Sequence, residues 1–269
     1  MASTRAIEVT PSSRFTEPWR RRLSTVESAS PYAALGLAAG ATVLVLGAHP
    51  DDETVGLGAT IAWLTRRGIT VHVMSMTSGA AALDHVAHVV DVGQHGQAGL
   101  LAGLAARRRA ELGAACRELG VSAYDVLELP DGGLRGHVPR MTDLIESRLL
   151  AAPVMQLLTV WWEDPHPDHQ AVGQAARAAA TRAGLPVHGF AIWAPHWTDP
   201  ATAPLDDTHL RLMATDEPSR RRRAAAIRCY QSQTVALTPG LRPILPAAVV
   251  DWQHEIVMTP TGHSTDRAG

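Results

Sequence analysis

The 269-residue sequence contains neither lysine nor asparagine, so all 24 of its basic residues are arginine. Without lysine there is no Schiff base to a carbonyl substrate or to pyridoxal phosphate, and lysine-dependent aldolase chemistry is excluded. The phosphate loop that ends in Gly-Lys is excluded too. Without asparagine there is no N-glycosylation acceptor. Both amino acids use A/T-rich codons, so their absence points to a GC-rich genome. Cysteine is scarce: Cys116 and Cys229 form no ladder and neither sits in a C-x-x-C. A reduced, cytoplasmic setting is the simple reading. Aromatic residues make up only 4% and charged residues 19% of the chain, with a formal net charge of −2. So even a balance creates no field for gathering phosphate backbones, and nucleic acid is not expected as a partner.

A long apolar span is also missing. Arg20, Arg21 and Arg22 precede an uncharged stretch from Tyr32 to Ala48 that superficially resembles a secretion signal. Cleavage there would fall inside or beside Thr42–Gly47, the best strand in the chain. The charged run Asp51–Glu53 follows at once, so no membrane span is expected.

With 46% apolar residues the chain can bury a sizeable core. From residue 42 apolar strands alternate with Ala/Leu/Arg helices. Strands are expected at Thr42–Gly47, Ile69–Met76, Tyr124–Leu129, Met155–Trp161 and Val187–Trp193, with a further one at His209–Ala214. Helices are expected at Thr54–Arg67, Leu104–Leu119, Met141–Leu150, His169–Ala183 and Glu217–Gln231. The Gly/Ala/His segment from Ala80 to about Ala102, with His85, His88 and His95, reads as a loop or lid. This order predicts an α/β, Rossmann-like, mostly parallel doubly wound sheet with helices on both faces. The expected organisation is an arm over 1–40 with one short helix at Glu17–Val26, a single domain over 41–250, and a tail over 251–269.

Two polar clusters fall at strand carboxyl ends, where such folds bind ligands. The first is Ala48-His49-Pro50-Asp51-Asp52-Glu53; the second is His166-Pro167-Asp168-His169. Two His and one Asp give a three-ligand N/O set that leaves a coordination position for water, as a catalytic metal requires. A surplus carboxylate and a surplus His remain for proton transfer and for a developing oxyanion. The dinucleotide fingerprint G-x-G-x-x-G is not supplied by Gly47 to Asp52, and a purely structural zinc site would need four ligands, usually with Cys.

Val45 to Glu53 resembles the signature of the PIG-L/LmbE-like N-acetylglucosamine deacetylases, and His166-Pro167-Asp168-His169 resembles that family's second signature. Weaker similarities lie at Met76-Thr77-Ser78-Gly79, Arg108-Arg109-Ala110-Glu111, Leu129-Pro130-Asp131-Gly132 and Ala226–Gln233, so the resemblance spans roughly 42–235. It implies that His49, Asp52 and His169 bind Zn2+ (or another divalent metal such as Fe2+) and that Asp51 is the general base. It further implies that His166 stabilises the oxyanion, as an imidazolium that also protonates the leaving amine, and that Asp168 hydrogen-bonds His166. The implied reaction removes an acetyl or other acyl group from the amine of a glucosamine-type sugar conjugate. The alternatives are an amidase acting on a thiol-conjugated pseudodisaccharide and a non-catalytic metal- or carbohydrate-binding protein. Arg108 and Asp131 are candidate substrate contacts; Arg108 on a solvated helix face or paired with Glu111, and Asp131 in an ordinary turn, are the bland readings. Arg220 to Arg223 are expected on a solvated helix face, and Trp161 and Trp162 in the core.

Overall fold

The structure, a computed structural model, describes residues 14–83, 93–205, 207–236 and 242–259. Strand β2 (Thr42–Gly47) explains why the sheet forms where it does. Its sequence TVLVLG is β-branched and apolar on both faces, and every residue is buried. Each Val or Leu side chain taken fully from water contributes roughly 1.5–3 kcal/mol. The other strands are β1 (Ser28–Ala29), β3 (Thr70–Ser75), β4 (Ala123–Val126), β5 (Gln156–Val160), β6 (Val187–Phe190), β7 (Leu210–Met213) and β8 (Ile256–Met258). They form one sheet in the order β1-β7-β8-β6-β5-β2-β3-β4. Pairing is parallel except where β8 runs antiparallel between β6 and β7.

The order places a topological switch at β2. Strands β3 and β4 continue on one side, and β5 and β6 on the other. A crevice therefore opens between the carboxyl ends of β2 and β5, the usual ligand position in such sheets. The turn after β2 runs into the helix Asp52–Thr65, and the loop after β5 runs into the helix Pro167–Ala183. The first helix is buried from Asp52 to Leu64, so it lies inside the molecule and not on its surface. Gly56 permits this, because a Cβ there would come within 2.4 Å of the Phe190 ring.

Several boundaries differ from the sequence expectation. The segment around 80–102 is not a continuous loop. Ala80–Leu83 is a 3-10 turn and the helix expected from Leu104 already starts at Gly93, running to Leu119. His85 and His88 lie outside the described residues. The expected arm and tail both build the sheet. Trp19 and Leu23, on the helix Thr16–Leu23, are buried in a second core cluster with Trp161, Trp252, Ile256 and Met258. Strand β1 extends the sheet beside β7, and β8 lies within it. The last expected helix stops at Ile227, and a separate short helix covers Gln231–Thr234. No described helix is long and apolar enough to cross a membrane.

Candidate active site

The turn after β2 is held by Asp52, whose Oδ2 accepts the backbone N–H groups of Ala48 and His49 at 2.7 and 2.9 Å. The Thr77 hydroxyl donates to Ala48 O from the end of β3 (2.9 Å). Asp51 stands at the start of the helix with φ 154°, the one non-glycine residue with positive φ among the described residues. Such a conformation costs energy and persists only where its surroundings impose it. An Asp at this position ordinarily caps the helix with its side chain. Here it makes no such bond. Its Oδ2 instead accepts from Arg108 Nη2 at 3.0 Å, and both side chains are almost fully buried. Burial pushes Asp51 up to about 6, against the pull of the Arg108 guanidinium.

Arg108 is therefore neither on a solvated face nor paired with Glu111. It is 3% exposed, and it also donates to Gly79 O (2.7 Å) and Pro50 O (3.1 Å). Glu111 accepts instead from Arg107 and from the backbone and hydroxyl of Ser232. Gly79 makes this possible twice over: its φ is +69°, and a Cβ would lie 2.1 Å from Arg108 Nη1.

His169 comes to the same place from the first turn of the second helix. Its side chain is completely buried, with Nε2 3.3 Å from Asp52 Oδ1 and Nδ1 3.2 Å from Asp164 Oδ1. Neither ring nitrogen is in line for a full hydrogen bond. His49 places Nδ1 3.8 Å from Asp52 Oδ2. Ligand atoms of His49, Asp52 and His169 all lie within 4.8 Å of one another. A buried, unaligned imidazole nitrogen facing a carboxylate, in a His/His/Asp set, fits a divalent cation of the zinc or iron class. Burial opposes charge on His169, but Asp52 and Asp164 outweigh it and push its pKa to about 9. Asp52 is held well below the usual carboxylate range, because the His169 and His49 rings outweigh its burial.

The far nitrogen of His49 is engaged as well. Its Nε2 lies 3.1 Å from Asp131 Oδ1 and 3.4 Å from Asp168 Oδ2, and these three residues form a second close group. An N–H directed at carboxylates orients the ring and presents the other nitrogen to the Asp52 side. Asp131 also accepts from Ala81 N at 2.7 Å. It thus has partners in both His49 and the Ala81 backbone.

His166 and Asp168 are adjacent but do not pair as expected. The Asp168 carboxylate accepts from Gly132 N (2.8 Å) and Leu134 N (3.1 Å) and faces His49. It is the backbone N–H of Asp168 that donates to His166 Nδ1 (3.2 Å), making His166 the cap of its helix. That bond assigns the lone pair to Nδ1 and the proton to Nε2. Burial, together with the cationic His169 and His49 rings, pushes the His166 pKa down to about 3. With Nδ1 so engaged, the ring offers Nε2 as its N–H donor. The three rings stand close together, with centroids 4.7 Å apart for His166–His169 and 5.0 Å for His49–His166.

Three buried polar residues take contacts that the sequence did not indicate. Asp164, two residues before His166, is fully buried against His169. Its signal was an acid immediately ahead of the second cluster. Arg223, expected in a solvated run, is buried and donates to Val55 O beside Glu255. Glu53 is buried and accepts from Thr54 Oγ1 (2.5 Å) and from the Tyr230 hydroxyl.

Glu53 sets a stability dependence on pH. Burial raises its pKa from the ordinary 4.5 to about 7. Between those values the folded protein holds a proton that the unfolded chain has released, so stability falls as pH rises through this window, by about 3 kcal/mol. Glu53→Gln removes that loss while keeping an acceptor for Tyr230. The variant's melting temperature relative to wild type should therefore climb between pH 5 and pH 8; a pH-independent difference contradicts the assignment.

Residues 44–180, about half the chain, match the PIG-L family, GlcNAc-PI de-N-acetylase. A 1D-myo-inositol 2-acetamido-2-deoxy-alpha-D-glucopyranoside deacetylase of Salinispora arenicola is 33% identical over 175 residues, 58% of this chain and 55% of that protein. A probable N-acetyl-alpha-D-glucosaminyl L-malate deacetylase 2 of Bacillus cereus is 30% identical over 152 residues, 52% of this chain and 61% of that one. The chain thus spans little more than half the length of these curated relatives. Among solved structures, the A40926 pseudoaglycone deacetylase Dbv21 superposes with a TM-score of 0.59 at 23% identity, covering 82% of this chain and 97% of that chain; it shows the shared fold. With the family match lying across both polar clusters and the strands that carry them, the chain belongs to the PIG-L family.

Proposed function

We propose that the protein is a metal-dependent amide hydrolase that removes an acetyl, or other acyl, group from the amine of a glucosamine-type sugar conjugate. The observation that carries this reading is the convergence of His49, Asp52 and His169 beside a buried carboxylate outside that set, Asp51, which Arg108 holds in the crevice between β2 and β5. The deacetylase relatives named above act on glucosaminides linked to inositol or malate, which supports a conjugated N-acetylated amino sugar as substrate. Zn2+ is the first choice of metal and Fe2+ the second, and the cytoplasm is the place of action.

His49, Asp52 and His169 would hold a divalent cation, which when bound would supply Lewis acidity to a water and to the substrate's amide carbonyl. Asp51 takes the proton from the attacking water as the C–O bond forms. Its pKa of about 6 makes it a competent base near neutral pH and a usable acid afterwards. Arg108 keeps its carboxylate aimed through the 3.0 Å contact. His166 donates from Nε2 to the carbonyl oxygen as that oxygen becomes anionic, while Nδ1 stays bound to Asp168 N–H. When the C–N bond breaks, the proton on Asp51 passes to the leaving nitrogen. Acetate and a free amine result, and Asp51 is again ionised.

Acetate release from a panel of sugars tests the proposal. A glucosaminide carrying an aglycone should exceed free N-acetylglucosamine in kcat/KM, because contacts to the remote part assist the chemical step. No acetate from any N-acetylated amino sugar by the metal-loaded protein would reject the reading. Equal kcat/KM for the free sugar and every conjugate would reject its substrate class.

A further inference from the structure

We propose that Asp164 is a positioning residue that fixes the tautomer of His169 and locks the His166–His169 turn to the end of β6. The proposal rests on His169 being a metal ligand. Asp164 is fully buried, and its two carboxylate oxygens divide their partners between two loops. Oδ1 accepts from His166 N at 3.1 Å and faces His169 Nδ1 at 3.2 Å. Oδ2 collects the backbone N–H groups of Ile192, Trp193 and Ala194 at 3.2, 2.9 and 3.4 Å. The main chain of Asp164 is tied down as well. Its N–H donates to Trp161 O at 3.0 Å, and its carbonyl accepts from Gln170 Nε2 at 3.0 Å.

The chain gains two things from this arrangement. Ala191 N–H still donates to Ile256 O of β8 (3.2 Å), but residues 192–194 turn into the short helix Ala194–Trp197 and direct their N–H groups at Asp164 instead of a strand. Buried N–H groups need acceptors, and a carboxylate is the side chain with enough lone pairs to serve four of them. Once held by four donors, Oδ1 and Oδ2 cannot turn away. An unprotonated Nδ1 on His169 would then set its lone pair against those of Oδ1. The proton must therefore sit on Nδ1, and Nε2 is left with the lone pair that faces Asp52 and a cation. Because Oδ1 also holds His166 N, the same carboxylate sets the spacing between the two rings, whose centroids are 4.7 Å apart.

Asp164→Asn is the informative variant. Its amide offers one acceptor oxygen and one NH2, so either the N–H groups of 192–194 or the Nδ1 side of His169 meets a donor. Competition with a chromophoric chelator should show Zn2+ affinity weakened roughly 10–100-fold, as loss of a carboxylate behind a metal-bound His does elsewhere. The expected loss is measured on protein that still melts cooperatively, which separates it from unfolding. Wild-type Zn2+ affinity in folded Asp164→Asn overturns the proposal. A wild-type protein that binds no Zn2+ rejects the ligand reading of His169, and this proposal falls with it. Should the variant fail to fold, nitrogen NMR of 15N-histidine-labelled, zinc-loaded wild type decides. A protonated Nδ1 with a metal-bound Nε2 on His169 is the expected pattern, and the reverse tautomer overturns it.

Discussion

Asp51→Asn should keep the fold and the metal and still lose kcat by roughly 10²–10⁴-fold, the range for removing a general base. Asn occupies the same volume and its amide oxygen still accepts from Arg108, so the buried contact of Arg108 Nη2 survives. What disappears is the group that takes a proton from water and returns it to the amine. KM should change little, because Asp51 acts on the reacting water and not on the sugar. Near-wild-type turnover by metal-loaded Asp51→Asn would remove Asp51 from the mechanism.

His169→Ala is expected to abolish high-affinity metal binding, with stoichiometry falling from about one ion per chain to near zero at micromolar metal. The variant should also be less stable by several kcal/mol. His169 is fully buried between Asp52 and Asp164, so its removal leaves two interior carboxylates without their shared partner. Metal analysis and thermal melts on one preparation separate the two effects. Undiminished stoichiometry would take His169 out of the ligand set. Asp131→Asn, by contrast, should retain the ion with reduced affinity, because Asp131 contacts the far nitrogen of His49.

The parts of the fold that the sequence makes legible are those with a continuous local signal. Thr42–Gly47 is found residue for residue, because a short, continuous Val/Leu run has no better home than a buried parallel strand. The two histidine-acid clusters are legible for the same reason: each is contiguous and each follows such a strand. Strands β1 and β8 are not legible. At two and three residues they carry no periodicity, and only their neighbours β7 and β6 make them strands. The helix before Leu104 is hidden by its Gly- and Ala-rich composition, which lacks an apolar stripe.

Long-range partners are the other loss. Arg108 and Glu111 have the spacing of a helix pair, yet Arg108 reaches Asp51 and Glu111 reaches Ser232, across 57 and 121 residues. Spacing predicts what a helix does alone; burial decides what it does when another element offers a better partner. Asp168 departs from its expected partner on the same principle. Its carboxylate faces His49 and the loop at 132–134, while Asp164, which carries no signal in the sequence beyond its place ahead of the second cluster, reaches the His169 ring.

The central claim is that one divalent ion sits among His49, Asp52 and His169 with Asp51 beside it. Anomalous diffraction from a crystal of the zinc-loaded protein, recorded at the zinc edge, locates the ion directly. The account predicts a single strong peak at about 2.0–2.2 Å from Nδ1 of His49, a carboxylate oxygen of Asp52 and Nε2 of His169. A peak instead at Nε2 of His49, shared with Asp131 and Asp168, would contradict it.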